Sequence, residues 1–172
     1  MLVRTHTIDD CQAIADIYNE SIFEGQSTMD CHPFGAKDIQ TLMEKFHPRE
    51  TALVVERNHQ VIGWGMIRRY SDRPGYRVCC ETSTYLALSE TGKGYGTRLQ
   101  KALLQQVVDF GYHHVVTKIC ASNQGSINFH KRFGFEVVGI QKEIGFLQGR
   151  WHDVMIMQLV LPEVPPYCPD SA

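Results

Sequence analysis

No run in this 172-residue chain approaches the roughly 18 consecutive apolar residues of a membrane-spanning helix, so no membrane partner is expected. The opening MLVRTHTIDD has no basic-then-apolar leader pattern, and the expected compartment is the cytoplasm. An excess of one charge is also lacking. Lys and Arg number 17 against 19 Asp and Glu, and a net charge of −2 gives no general reason to bind nucleic acid. The six cysteines include no C-x-x-C pair, and Cys79 and Cys80 are adjacent, which argues against a disulfide framework or a zinc knuckle. Cys11 and Cys120 fall in apolar periodic segments, where a thiol acts as a small hydrophobe, so reduced, buried cysteines are expected. The eight histidines are scattered, and no metal site is expected. Internal repeats and low-complexity segments are absent as well.

What is present is an ordinary globular composition, 43% hydrophobic and 21% charged, long enough for one domain with its own core. After a short apolar start at Leu2-Val3-Arg4, Cys11, Ile14, Ile17, Tyr18 and Ile22 recur at helical spacing, predicting a helix over about 9–22. Ile39, Leu42, Met43 and Phe46 mark a second helix that stops at His47-Pro48. The polar, irregular stretch 23–35 lies between them, with Phe23 and Phe34 near its ends. TALVVERNHQVIGWGMIRRY reads as a hairpin turning at Arg57–Gln60, and VCCETSTYLAL as the next strand. Residues 94–110 form a helix with Leu99, Leu103 and Val107 on one stripe, ended by Gly111. HVVTKICA is a buried strand, SNQGSINFHKRFGF a turn and short helix, and Glu136–Phe146 and Asp153–Val160 are the last two strands. The order β-α-α-β-β-β-α-β-α-β-β describes an α/β (α+β) domain over 1–161, followed by a proline-rich, frayed tail over 162–172.

Between strand and helix stands LALSETGKGYGTRL, residues 86–99. Such a junction aims backbone N–H groups at one point, where the helix dipole favours an anion. A Walker A loop needs four residues between its first glycine and Gly-Lys-Ser/Thr, which this loop does not supply. A dinucleotide fingerprint needs a third glycine where Leu99 stands. Both nucleotide readings fail on spacing.

The loop resembles instead the pyrophosphate loop of the GNAT acyltransferase superfamily, Gln/Arg-x-x-Gly-x-Gly/Ala, here Thr91-Gly92-Lys93-Gly94-Tyr95-Gly96 with threonine at the first position. Asn123-x-x-Ser126-x-x-Phe129-His130-x-x-x-Gly134-Phe135 is similar to that superfamily's downstream motif, 29 residues beyond Gly94. VCCETSTYLAL, with IADIYNESI and GRWHDVMIMQ, resembles the phosphinothricin and methionine sulfoximine N-acetyltransferase branch, so the likeness covers about residues 2–161. It implies the GNAT fold: a central mixed, largely antiparallel sheet of 6–7 strands, splayed between strands 4 and 5, with about four flanking helices. It also implies acetyl-CoA as co-substrate, no metal, and acetyl transfer to the α-amino group of a small amino acid or analogue, often as detoxification. A homodimer is the implied assembly.

The resemblance further implies roles for individual residues. Leu86, Ala87 and Leu88 offer backbone groups to the pantetheine arm and a donor for the thioester oxygen. Lys93, Gly94, Tyr95, Gly96, Thr97, Arg98 and Leu99 surround the diphosphate, and Asn123 and Ser126 contact pantetheine. Glu81 is the general base, buried and with a raised pKa; its alternative is a solvated or salt-bridged strand carboxylate. His130 serves the leaving thiolate, against an alternative of an ordinary, partly exposed histidine. Arg73 or Arg77 holds the substrate carboxylate, at least one of them being a solvated loop charge otherwise. Ser83 and Tyr85 share the Glu81 face by strand alternation, with core packing the competing explanation for Tyr85. Phe34 belongs to a lid over the amino acid or to the core. Two competing functions remain at this point: a protein or peptide N-acetyltransferase, which needs an open groove, and a non-catalytic CoA-binding sensor.

Overall fold

A computed structural model describes residues 1–168. Strand β1 (Leu2–Thr5) leads through a 3-10 turn to α1 (Cys11–Glu24) and α2 (Ala36–Glu44). Strands β2 (Thr51–Arg57), β3 (Gln60–Arg69) and β4 (Cys79–Leu86) follow, then α3 (Tyr95–Asp109), β5 (His114–Cys120) and α4 (Gln124–Lys131). Strands β6 (Glu136–Leu147) and β7 (Arg150–Val160) close the domain. The seven strands form one sheet in the order β1-β2-β3-β4-β5-β7-β6, antiparallel except for β4 against β5. The element order is the one read from the sequence, and the sheet is mixed and largely antiparallel.

Local chemistry explains most boundaries. The backbone N–H of Thr7 donates to the Asp10 carboxylate at 2.7 Å, closing the turn that opens α1, so the helix proper begins at Cys11 rather than Asp9. Asn58 and His59 both take positive φ, the two-residue turn that matches strand twist in a hairpin. The same device at Gln148-Gly149 lets Leu147 pair with Arg150, so β7 begins three residues before the expected Asp153. The Leu99, Leu103 and Val107 stripe is fully buried against one face of the sheet, with Cys80, Val115 and Ile119 beneath it. Helices α1 and α2 cover the other face over Val54 and Trp64.

Strand β4 pairs with β5 only through Cys79↔His114, Cys80↔Val115 and Glu81↔Val116. Beyond Glu81 the two strands part, because β5 stays paired along its whole length with β7 while β4 stays paired with β3. That divergence positions the site.

The expected frayed tail is corrected as far as the described residues reach. Val164 is buried, its carbonyl accepts from His113 Nδ1 at 2.7 Å, and the Arg49 guanidinium lies 3.7 Å over the Tyr167 ring. The remainder, 169–172, lies outside the described residues. The cysteines are all free, but Cys31 and Cys168 are exposed, against the expectation of burial; neither sits in a packed element.

Candidate active site

The wedge between β4 and β5 opens into a cavity of about 480 Å³ that reaches from the α3 N-terminus to α4. Antiparallel pairing alternates the direction of backbone groups. The Ala87 N–H donates to the Ile62 carbonyl on the β3 side, so the groups of Leu86 point the other way, into the wedge. Leu88 N–H is held by the Glu20 carboxylate at 2.7 Å. The expectation that Leu86, Ala87 and Leu88 all present free amides is therefore corrected: Ala87 and Leu88 have committed theirs, and Leu86 keeps its own.

The glycine loop stands at one end of the cavity. Gly92 and Gly94 have left-handed φ of 73° and 84°, while a Cβ at either would meet nothing within 4 Å. Conformation, not space, demands glycine there. Gly96 is the reverse case, where a Cβ would lie 3.3 Å from Leu86 Cδ1 and 3.5 Å from the Phe129 ring. Among the described residues no side chain caps Gly94 and no acidic residue stands in the first turn of α3, so the positive helix end is open. Arg57 braces the loop by donating to Glu90 at 2.9 Å and to Tyr95 Oη at 3.0 Å, and Lys93 Nζ lies 3.3 Å from Glu90. Thr91 turns its hydroxyl onto the Leu88 carbonyl, at 2.9 Å. Gly92 and Gly96 line the cavity, whereas Lys93, Gly94, Tyr95, Thr97 and Arg98 stand outside its lining. Leu99 is a correction: its side chain is fully buried in the core as part of the Leu99, Leu103 and Val107 stripe and does not line the cavity.

These features fit acetyl-CoA. A carboxylate-free helix end with glycine-shaped amides suits a diphosphate, and a strand edge with an unpaired backbone suits an amide-bearing pantetheine arm.

Helix α4 forms the far wall. Asn123 Oδ1 accepts from Ser126 N at 3.0 Å, capping the helix, and its Nδ2 lies 3.4 Å from both the Gln26 carbonyl and Ser27 Oγ. Asn123, Ser126 and His130 line the cavity. His130 is only 4% exposed, which removes the partly exposed alternative. Its Nδ1–H donates to the Ser126 carbonyl at 2.9 Å, and the buried Nε2 has no partner among the described residues. Burial pushes the imidazole below its ordinary pKa, more strongly than the Ser126 bond raises it. The ring is neutral at neutral pH with a bare Nε2, so it accepts a proton before it can give one.

Strand β4 contributes Ser83 and Tyr85 to the lining. Ser83 Oγ is buried without a partner among the described residues. The Tyr85 ring stacks on Trp64 at 5.1 Å and stands edge-on to Tyr18 at 4.9 Å; burial pushes its phenol up to about 12. Glu81 departs from the expected buried base. Its carboxylate is 33% exposed, bonds Lys118 Nζ at 2.7 Å, and stands just outside the cavity lining. Glu81 is the last β4 residue paired with β5, and Lys118 reaches across the start of the opening.

The two expected carboxylate-binding arginines are not at the cavity. Arg77 is drawn to the tail, its Nε donating to the Tyr167 carbonyl at 2.8 Å, and Arg73 sits on an exposed turn. Phe34 packs edge-on against Tyr18 at 5.3 Å, its backbone clamped in both directions by the Asn19 side chain at 2.8 Å. It holds down the 26–34 segment, of which Ser27 reaches the cavity, and does not itself line it. Sequence reasoning missed Lys118, Glu20 and Asn19. Lys118 carried a signal, a lone full charge inside the apolar run HVVTKICA.

A splayed β4–β5 pair, a glycine-shaped helix end and an asparagine-capped α4 define a class, and sequence comparison agrees. The chain belongs to the GNAT acetyltransferase family, whose acetyltransferase (GNAT) domain matches residues 3–156. It is 32% identical over 167 residues to the L-amino acid N-acyltransferase MnaT of Escherichia coli, covering 95% of each chain. It is 29% identical to the L-methionine sulfoximine/L-methionine sulfone acetyltransferase of Salmonella typhimurium, covering 95% of this chain and 96% of that one. The crystal structure of a phosphinothricin acetyltransferase from Sinorhizobium meliloti in complex with acetyl-CoA superposes with a TM-score of 0.88 at 29% identity, covering 94% of this chain and 89% of that one.

Proposed function

We propose that this enzyme transfers the acetyl group of acetyl-CoA to the α-amino group of a small amino acid or an analogue of the methionine sulfone or phosphinothricin type. The observation that carries the reading is the wedge beyond Glu81, which joins an open helix N-terminus to a half-buried, aromatic wall at Tyr85. The names of the relatives support the substrate class.

In this reading the diphosphate rests on the amides of residues 92–97 and the pantetheine runs along β4 and past Asn123 and Ser126. Glu81, through a water, takes one proton from the substrate ammonium, freeing the lone pair. The amine attacks the thioester carbon, and the Leu86 N–H stabilises the oxygen as it gains charge. Collapse expels the CoA thiolate, while the second nitrogen-bound proton passes to His130 Nε2 and on to sulfur. The 26–34 segment, strapped by Tyr18 to Thr28 at 2.8 Å and to Asp30, closes the amino-acid end. A cytoplasmic homodimer is part of the same reading, supported by six free cysteines and by an apolar β6–β7 edge.

Free CoA release from acetyl-CoA in the presence of methionine sulfone, phosphinothricin, the common amino acids and lysine-rich peptides tests it. Turnover on amino acids alone is expected; turnover on peptides alone overturns it.

A further inference from the structure

We propose that Lys118 is the specificity-determining residue that holds the substrate carboxylate, and that the Lys118–Glu81 ion pair of the free enzyme opens around the substrate's own pair of charges. The inference rests on the amino-acid acetyltransferase reading above and names the group that reading lacks, since neither Arg73 nor Arg77 reaches the cavity.

Placement comes first. Among the described residues, the only Lys or Arg side chains lining the cavity belong to Lys118 and Arg132. Arg132 stands at the C-terminal end of α4, its guanidinium 5.8 Å from the Phe129 ring, and that ring lies against Gly96 at the diphosphate end. Lys118 is at the other end, bonded to Glu81 at 2.7 Å where the strands begin to part. Buried Thr117 and Ile119 flank it in β5, so the backbone that carries it is fixed.

Charge comes second. A free amino acid presents an ammonium and a carboxylate on one carbon, the same opposed pair that Glu81 and Lys118 make with each other. Substituting the substrate for that contact gives each charge a new opposite, the ammonium facing Glu81 across a water and the carboxylate on Lys118. The exchange is easy, because both side chains are partly exposed, at 33% and 49%, and ion pairs of that kind hold weakly. The flexible lysine stem swings without moving β5. The same lysine acts against the wrong substrates. A simple amine, an amino-acid amide or a peptide N-terminus brings an ammonium toward Lys118 with no carboxylate to answer it, and like charges repel.

The test compares kcat/KM for the amino acid the enzyme acetylates fastest with that for its primary carboxamide, in the wild type, Lys118→Met and Lys118→Arg. The wild type is expected to prefer the acid, Lys118→Met to lose roughly 10- to 100-fold of that preference through KM for the amino acid, and Lys118→Arg to keep much of it. A preference unchanged in Lys118→Met, or a wild type that treats acid and amide alike, overturns the inference and leaves acetyl transfer standing. An equal rise in KM for acetyl-CoA in Lys118→Met marks a structural role and also overturns it. A wild type that acetylates no free amino acid sinks the functional reading itself, and this inference with it.

Discussion

At the scale of single residues, the site depends on which protons its groups hold. Glu81→Gln keeps the volume and the strand but removes the proposed base, so kcat is expected to fall on the order of 10²- to 10⁴-fold with acetyl-CoA affinity retained. Steady-state rates and calorimetric titration with acetyl-CoA check it, and an unchanged kcat removes Glu81 from the role. His130 makes a prediction about pH. Its folded pKa is lowered by burial, so the unfolded chain binds a proton more readily near pH 6.5 and below. The stability linked to this ring is therefore fully present above about pH 6.5 and is lost as pH falls through the lower folded value. His114, also lowered by burial, adds in the same direction. Melting temperature against pH is expected to be flat above about pH 6.5 in these two groups' contribution and to decline below it. His130→Phe fits between Phe129 and Phe135 and is expected to reduce that decline.

At the scale of elements, close backbone approach and capping fix the walls of the wedge. A Cβ on Gly65 of β3 would lie 2.7 Å from the Ser83 carbonyl oxygen and 2.7 Å from Leu103 Cδ1, so β4 must shift and the Leu103 side chain must turn aside to admit alanine. Gly65→Ala is expected to destabilise by about 1–3 kcal/mol, read as a fall in denaturation midpoint. Asn123 separates two functions of one side chain. Asn123→Ala removes the α4 cap and is expected to cost about 1 kcal/mol. Asn123→Asp keeps the capping oxygen and loses only the donor facing Gln26 and Ser27. Thermal melts of the two variants are expected to separate, with Asn123→Ala the lower; equal melts mean that the cap contributes nothing measurable beyond the link to the 26–27 segment.

At the scale of the whole molecule, the β6–β7 hairpin stands at the sheet edge with Val138, Ile144, Phe146 and Trp151 exposed, the last two at 61% and 62%. An apolar edge of this kind is an association surface when left uncovered. Phe146→Lys is expected to convert a dimer to a monomer in light scattering, and a wild type that is already monomeric refutes the dimer. How much of this was legible in the sequence depended on the reach of each interaction. Periodicities of 2 and 3.6, the Asn58-His59 turn and the glycine loop act between near neighbours in the chain, and they specified the element order and the position of α3. The resemblance of the two motifs then supplied the splay. Arg77 lies away from the cavity because its partner, Tyr167, is 90 residues on in a tail that reads as frayed. Glu81 was read as buried for a similar reason: Lys118, 37 residues on, meets it only where two strands diverge. By itself the sequence determined that a glycine loop would stand between a strand and the helix that follows it, since that is a local property of backbone conformation. Only the tertiary structure decided which backbone amide stays free, that His130 is buried, and which cations line the cavity, since those follow from the burial and distances that packing creates.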